Sequence, residues 1–497
     1  MKKSLGFLLV FFLCSCSTNR ILIDQPVLPK YKYEMNLDDY EDDKISIKLS
    51  LNNFEQETAT FCFPKIVPGI YGKMNFGQFI KSILITDTKG IKSQPKRIDV
   101  NCWEVENLKQ ISSIEYEVDD SWEVFNFEME DGFYKSASTT FQKEVFLINN
   151  NCLFGYFQGL DNIPIELVVS KSENIYGATS LQKVESNLNY DKFEVKDYHE
   201  LVDNPIMYSA PDTSLIKLPN IDVEVACYSS TKQSISKEIA NYIKPLLINQ
   251  TEYLGGELPI DKYTFILYHN LNPDLNSWMG DGLEHSNSTL ILLYMPLDLD
   301  IIKENVYGIA SHEFFHTLMP LGIHSHEIAN YDFNNPKFSR HLWLYEGTTE
   351  YFTIHMPIKN GLQEISEFTK VLERIITEMK SFDNQLSMTD LSLNAMDYQD
   401  QYYNVYLKGT IINLCLDIKL REISNGAYGV QNLILDLLSK YGIDKSFDDE
   451  NLFNEIVSIT GFPALIDFFD RYVDGTEKLP LEAVSYTHLT LATKAKV

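Results

Sequence analysis

Hydrophobic and polar residues alternate with a period of two through residues 45–51 (ISIKLSL) and 114–118 (IEYEV), and apolar runs rich in β-branched residues occupy 83–85 (ILI) and 165–169 (IELVV). Turn residues separate these runs at strand-like intervals. Successive side chains of a strand point to opposite faces, so the pattern predicts an all-β, sandwich-like domain over residues 31–215. From residue 221 the order changes to strand (223–228), helix (235–254) and strand (263–268). A glycine-rich segment, 280–288, then leads into the apolar run 289–295, which predicts an edge strand open to strand addition by a peptide. Gly280 and Gly282 are read as conformational rather than chemical. Beyond residue 361 the period becomes helical: 362–382, 401–424, 430–441, 451–459 and 464–473 carry apolar residues at i, i+3, i+4, with breaks at Gly461-Phe462-Pro463 and Gly475. The predicted fold class is multidomain α+β, with a β domain (31–215), a mixed α/β portion (216–360) and a helical domain (361–484).

Chemistry concentrates in residues 311–352, SHEFFHTLMPLGIHSHEIANYDFNNPKFSRHLWLYEGTTEYF. His312-Glu313-Phe314-Phe315-His316 is an H-E-x-x-H pattern. Residues four apart share a helix face, so His312 and His316 point two imidazoles at one zinc ion, with Glu313 beside the water such an ion activates. Val306, Ile309, Ala310, Phe314, Phe315 and Leu318 supply the apolar positions of a buried helix that Pro320 and Gly322 stop. A catalytic zinc takes three protein ligands and keeps a fourth position open. Residues 342–352 read as a second buried helix carrying Glu346 and Glu350, and carboxylates on an apolar helix are costly unless paired or metal-bound. Glu346 is therefore taken as the third ligand, and Glu350 as acceptor for the outer N–H of a ligand histidine, His312 by preference. A solvated helix face is the alternative for both carboxylates. His324 and His326 form an H-x-H pair and are read as loop residues.

H-E-F-F-H followed by W-L-Y-E-G-T-T-E-Y-F resembles the thermolysin-like gluzincin aminopeptidases and, within them, the glycyl aminopeptidase family. Twenty-nine residues separate His316 from Glu346, a long spacer that fits this family better than its relatives. Residues 63–72 (FPKIVPGIYG) and 197–205 (DYHELVDNP) resemble stretches of the same family and extend the resemblance to about residues 30–484. It implies a thermolysin-like catalytic domain over 216–360, one zinc ion per chain, and a helical domain. The family's PDZ domain is not visible, as truncation of the chain would leave it. G-L-E-H at 282–285 resembles the motif that binds a substrate's amino terminus, which makes Glu284 the candidate for a charge-assisted bond to a free ammonium. Y-L-K-G at 406–409 resembles a segment whose tyrosine donates to the tetrahedral intermediate, which makes Tyr406 the candidate oxyanion donor. An exposed turn residue at 284 and an ordinary packed aromatic at 406 are the alternatives.

The implied activity is removal of N-terminal residues from peptides, Gly or Ala by preference, with Glu313 as general base. Its rivals are a zinc endopeptidase with the same chemistry and a non-catalytic surface lipoprotein that binds peptide or glycan on a peptidase scaffold.

The 497 residues, 44% hydrophobic and 12% aromatic, suffice for several cores. Lys plus Arg number 42 against 70 Asp plus Glu, a balance of −28 with no basic cluster, which argues against a nucleic-acid partner. No glycine-rich phosphate loop supports nucleotide chemistry. Met1-Lys2-Lys3, the apolar run 6–13 and Leu13-Cys14-Ser15-Cys16 read as a lipoprotein signal (1–16) with Cys16 as the lipidated residue and 17–30 as a tether. This predicts a protein of the bacterial cell envelope, anchored to the membrane by lipid on the periplasmic or outer surface. The five remaining cysteines are widely spaced, which is no disulfide framework but leaves room for a single bridge. Residues 485–497 depart from the acidic character of the chain and resemble a translated sequencing adapter, so a non-native tail is expected there.

Overall fold

The computed structural model describes residues 28–124, 134–256, 258–271 and 279–481. Cys16 and the tail from residue 485 lie outside the described residues. The alternating runs of the N-terminal part form an eight-stranded sheet, in which Ile165–Ser170, Lys30–Asn36, Lys44–Asn52, Ile111–Asp119 and Ile80–Asp87 are successive neighbours. Tyr31, Tyr33, Ile45, Ile47 and Leu49 point into its core, while Lys32, Glu34, Ser46 and Lys48 alternate outward. Two four-stranded sheets complete this part. Strands Thr58–Cys62 and Cys102–Glu106 pair so that Cys62 faces Cys102, and the two form a disulfide. Cys152, Cys227 and Cys415 are buried free thiols.

A five-stranded sheet follows, in the order Thr213–Lys217, Asp222–Ser229, Lys262–Leu271, Ser288–Met295, Met279–His285. Its three inner strands are parallel and its two outer pairings antiparallel. Both faces are covered, which is why the strand at 289–295 reads as an unbroken apolar run. Val225, Phe265, Leu267, Ile291 and Leu293 face the helices, whereas Ala226, Ile266, Tyr268, Leu290 and Leu292 pack against Trp122, Val145, Leu147 and Met207 of the N-terminal part. The strand Val145–Ile148 serves two cores, because Phe146 and Ile148 turn the other way into the N-terminal core. The glycine-rich stretch expected to lead into an edge strand is itself that edge strand, Met279–His285.

Among the described residues, eight longer helices build the rest: Ser236–Tyr253, Leu299–Glu313, Leu342–Lys359, Ile365–Glu378, Asn404–Ile423, Val430–Lys440, Leu452–Thr460 and Leu465–Tyr472. Helices 342–359 and 404–423 approach so closely that a Cβ on Gly347 would stand 2.6 Å from the backbone Cα and carbonyl carbon of Gly409. Asn413 locks the pair: its Oδ1 accepts from Thr348 Oγ1 (2.9 Å), and its Nδ2 donates to the carbonyls of Trp343 (3.2 Å) and Gly409 (2.9 Å). Among the described residues, no helix is long and apolar enough to cross a membrane.

Candidate active site

Asp298 starts the motif helix by accepting from the N–H groups of Asp300 and Ile301, satisfying two of its orphan donors. The sequence predicts one helix through residue 318. The α-helix instead ends at Glu313 and tightens into a 3₁₀ turn over Phe314–Thr317. Gln250 reaches across from helix 236–253 and donates to the Ser311 carbonyl (2.9 Å), which an uninterrupted helix would give to the N–H of residue 315. His312 thus sits on the α-helix and His316 on the tighter turn.

Both histidines are held from outside. His316 Nδ1 is 2.7 Å from the Met319 carbonyl, which can only accept, so the proton lies on Nδ1 and Nε2 turns its lone pair inward. His312 Nδ1 is 3.0 Å from Glu350 Oε2 on helix 342–359. The inner atoms converge: His312 Nε2 lies 3.2 Å from His316 Nε2 and 3.4 Å from Glu346 Oε2, and the third side, His316 Nε2 to Glu346 Oε2, is 3.5 Å. Ligands bound at about 2.0–2.2 Å on the corners of a tetrahedron stand about 3.3–3.6 Å apart. The donor set therefore fits one such cation.

The protonation states agree. Burial opposes charge on His312, but its bonds to Glu346 and Glu350 outweigh burial and hold its pKa well above the usual imidazole range. Burial lowers His316 to about 4 and keeps it neutral. Burial also works against ionised Glu346 and Glu350, yet the neighbouring imidazoles hold both below the ordinary glutamate value. A proton on His312 Nε2 would point at Glu346, in the direction a metal ion would take.

Glu313 is buried, its Oε2 without a hydrogen-bond partner among the described residues, and burial pushes its carboxyl up to about 7. It can lie flat against the edge strand because residue 282 is glycine: a Cβ there would be 2.9 Å from Glu313 Oε1. Glu284, two residues along that strand, offers an oxygen within 4.8 Å of donors on Glu313 and His316. Burial, then the charges of Glu346 and Glu313, raise its pKa well above the carboxylate range. Tyr406 enters from helix 404–423. Its ring centroid is 5.8 Å from that of His312, its hydroxyl is 3.2 Å from that of Tyr402, and it lines the same chamber as Glu346. Burial and the nearby carboxylates keep its phenol protonated. The structure thus brings Glu284, His312, Glu313, His316, Glu346, Glu350 and Tyr406 into one site.

Two segments of the site were only partly legible. Residues 63–72 of the N-terminal part, quoted above merely as a family stretch, form a strap that crosses the site: a Cβ on Gly69 would stand 2.8 Å from Glu284 Oε1. The long spacer holds the strap. The Phe333 carbonyl accepts from the N–H groups of Lys65 (2.9 Å) and Ile66 (3.2 Å), and Ser339 and Arg340 bond Asp449 at the far end. His324 and His326 lie in this spacer, bonded by backbone to Phe447, and line a cleft of about 1190 Å³. The proline and glycine cluster at 68–72 was the only sequence signal for the strap.

Residues 32–210 match the Peptidase M61 N-terminal domain, and residues 305–412, which carry His312, Glu313, His316, Glu346, Glu350 and Tyr406, match the M61 glycyl aminopeptidase. The chain belongs to the M61 glycyl aminopeptidase family. As an M61 protein it is a peptidase. Solved structures place the fold of this M61 chain in wider company. A crystal structure of an aminopeptidase N family protein from Idiomarina loihiensis superposes with a TM-score of 0.76 at 20% identity, covering 92% of this chain and 78% of that one. An M1 zinc metallopeptidase from Deinococcus radiodurans superposes at 0.53 with 10% identity over 91% and 95% of the two chains. A variant of the latter, bound to a Tyr-Ser-Ala substrate, gives 0.52 at 8% identity over the same shares. At these identities the likeness is one of fold. No curated protein sequence matches the chain significantly.

Proposed function

We propose that this M61 peptidase is a zinc aminopeptidase that removes one small N-terminal residue, Gly or Ala, from peptides. The observation that carries the reading is the triangle of His312, His316 and Glu346 donors, 3.2–3.5 Å on a side, with Glu313 and Glu284 beside it. Zinc, when bound by these three, supplies Lewis acidity toward the scissile carbonyl and lowers the pKa of a water. Glu313, held near neutrality by burial, takes a proton from the attacking water and passes it to the leaving amine. Tyr406 donates its hydroxyl proton in a hydrogen bond to the developing oxyanion. Glu284 receives the substrate's ammonium, and Glu350 orients His312 through Nδ1.

The test is hydrolysis of Gly-, Ala- and Leu-p-nitroanilides and their N-acetylated forms by purified protein and by Glu313→Gln, with zinc measured by elemental analysis. Cleavage of the free but not the acetylated substrates, reduced about 10²–10⁴-fold in the variant with zinc retained, is expected. Cleavage of acetylated substrates would establish an endopeptidase instead. A lipid anchor at Cys16 and an envelope location complete the proposal; the signal-like N-terminus supports them, and the Cys62–Cys102 disulfide suits an oxidising compartment. Detergent-phase partitioning of the expressed protein, lost in Cys16→Ala, tests the anchor.

A further inference from the structure

We propose that Tyr71, delivered by the strap from the N-terminal domain, is a specificity-determining residue that limits the amino side of the site to one residue with a short side chain. The inference rests on the aminopeptidase reading, in which Glu284 marks where the substrate's chain begins.

The strap is fixed along its length. It leaves a strand tied by the Cys62–Cys102 disulfide, and the Phe63 N–H bonds the Asn101 carbonyl (2.9 Å). The Lys65 carbonyl accepts from the N–H groups of Met74 and Asn75 (3.0 Å each), which closes the strap into a loop, and Phe333 holds the Lys65 and Ile66 N–H groups. At its tip Gly69 has φ +79°, a conformation that favours glycine, and its backbone rests against Glu284 with no room for a side chain between them. Two residues on, the Tyr71 ring packs against Tyr402 (4.9 Å between centroids) and Phe338 (5.4 Å), and its carbonyl accepts from Gln399 Nε2. The tip is therefore gripped by the helical domain and by the spacer as well as by its own sheet.

This wall separates two spaces of unequal size. On one side is a chamber of about 120 Å³, bounded by Gly69, Ile70 and Tyr71 of the strap with Glu284, Glu313 and Tyr406. On the other is the cleft of about 1190 Å³. Glu284, His316 and Glu346 border both spaces, whereas His312, Glu313 and Tyr406 border the chamber and not the cleft, so the reacting end of the peptide enters the chamber. His312, His316 and Glu346 also line this chamber, so zinc held by them would take part of its roughly 120 Å³, and the remainder admits a glycyl or alanyl residue but no large side chain. The peptide beyond the scissile bond extends into the cleft. Of the strap residues bordering the chamber, Tyr71 has the largest side chain, and removing it opens the wall without touching a proposed ligand.

The experiment compares kcat/KM for Gly-, Ala-, norvalyl-, Leu- and Phe-p-nitroanilides in the wild type, Tyr71→Ala and Tyr71→Phe, with zinc content and thermal midpoint recorded. In the wild type, kcat/KM should fall at least 100-fold from Ala to Leu, since one misfitting methylene is worth about 10–200-fold. Tyr71→Ala should raise the Leu/Ala ratio at least tenfold, while Tyr71→Phe, which keeps the shape, should stay within threefold of wild type. A flat wild-type series, or an unchanged ratio in a folded, zinc-loaded Tyr71→Ala, overturns the proposal. If Tyr71→Ala does not fold, the wild-type series with Tyr71→Leu decides in the same way. No cleavage of any free anilide by the zinc-loaded wild type would instead sink the aminopeptidase reading, and this proposal with it.

Discussion

Replacing Gly347 with alanine tests how closely the two helices that frame the site must approach. The added methyl would lie 2.6 Å from the Cα and carbonyl carbon of Gly409 and 3.0 Å from its oxygen. Carbon atoms pack at about 3.5–4.0 Å, so the helices are about 1 Å too close to accept it. The obstacle is backbone and cannot rotate away. Helices 342–359 and 404–423 must part, which costs about 1–3 kcal/mol of overpacking and stretches the 2.9 Å Thr348–Asn413 bond. Glu346 and Glu350 ride on the first helix and Tyr406 on the second, so Tyr406 retreats from Glu346 by a similar distance. A misplacement of about 1 Å costs about 100-fold in rate, or about 2.7 kcal/mol in the barrier. Gly347→Ala should therefore show a lowered thermal midpoint and a kcat on Ala-p-nitroanilide reduced about 100-fold, with zinc retained. Gly308→Ala is the control: a Cβ there meets nothing within 4 Å, and in a helix it should be neutral or add about 0.5–1 kcal/mol. A Gly347→Ala protein with wild-type midpoint and kcat within threefold would refute the reasoning.

Removing the outer partner of His312 with Glu350→Ala should weaken zinc binding about 10–100-fold, read by competition with a chromogenic chelator; an unchanged dissociation constant would contradict the role drawn from the 3.0 Å contact. Metal uptake should also depend on pH in a defined direction. His312 has its pKa raised above the imidazole range, so at neutral pH the metal-free form carries a proton that loading must expel. Zinc affinity should accordingly fall about tenfold per unit as pH drops below that raised pKa, and calorimetry at pH 7 in buffers of different ionisation heat should register at least one proton released per zinc. Uptake without proton release would show that His312 is neutral in the metal-free protein.

The strands, the helices after residue 361 and the H-E-x-x-H and E-x-x-x-E pairs were legible in the sequence because each is a local spacing. Period two sorts a strand's faces and a step of four sorts a helix's, whatever surrounds them. Cys62 and Cys102 were two of five candidates, and only the register of their strands decided which pair bridges. His316 fell on the predicted face although its turn is 3₁₀, because Gln250, sixty-one residues before Ser311, takes the carbonyl that would have continued the helix. The sequence by itself thus marked out the candidate ligands, the candidate base and the order of strands and helices. The tertiary structure alone decided how narrow the site is: Gly69 against Glu284, Gly282 against Glu313 and Gly347 against Gly409 are approaches between segments far apart in the chain. A glycine announces that something can come near. What comes near is set by the packing of sheets and helices that meet only in the folded molecule.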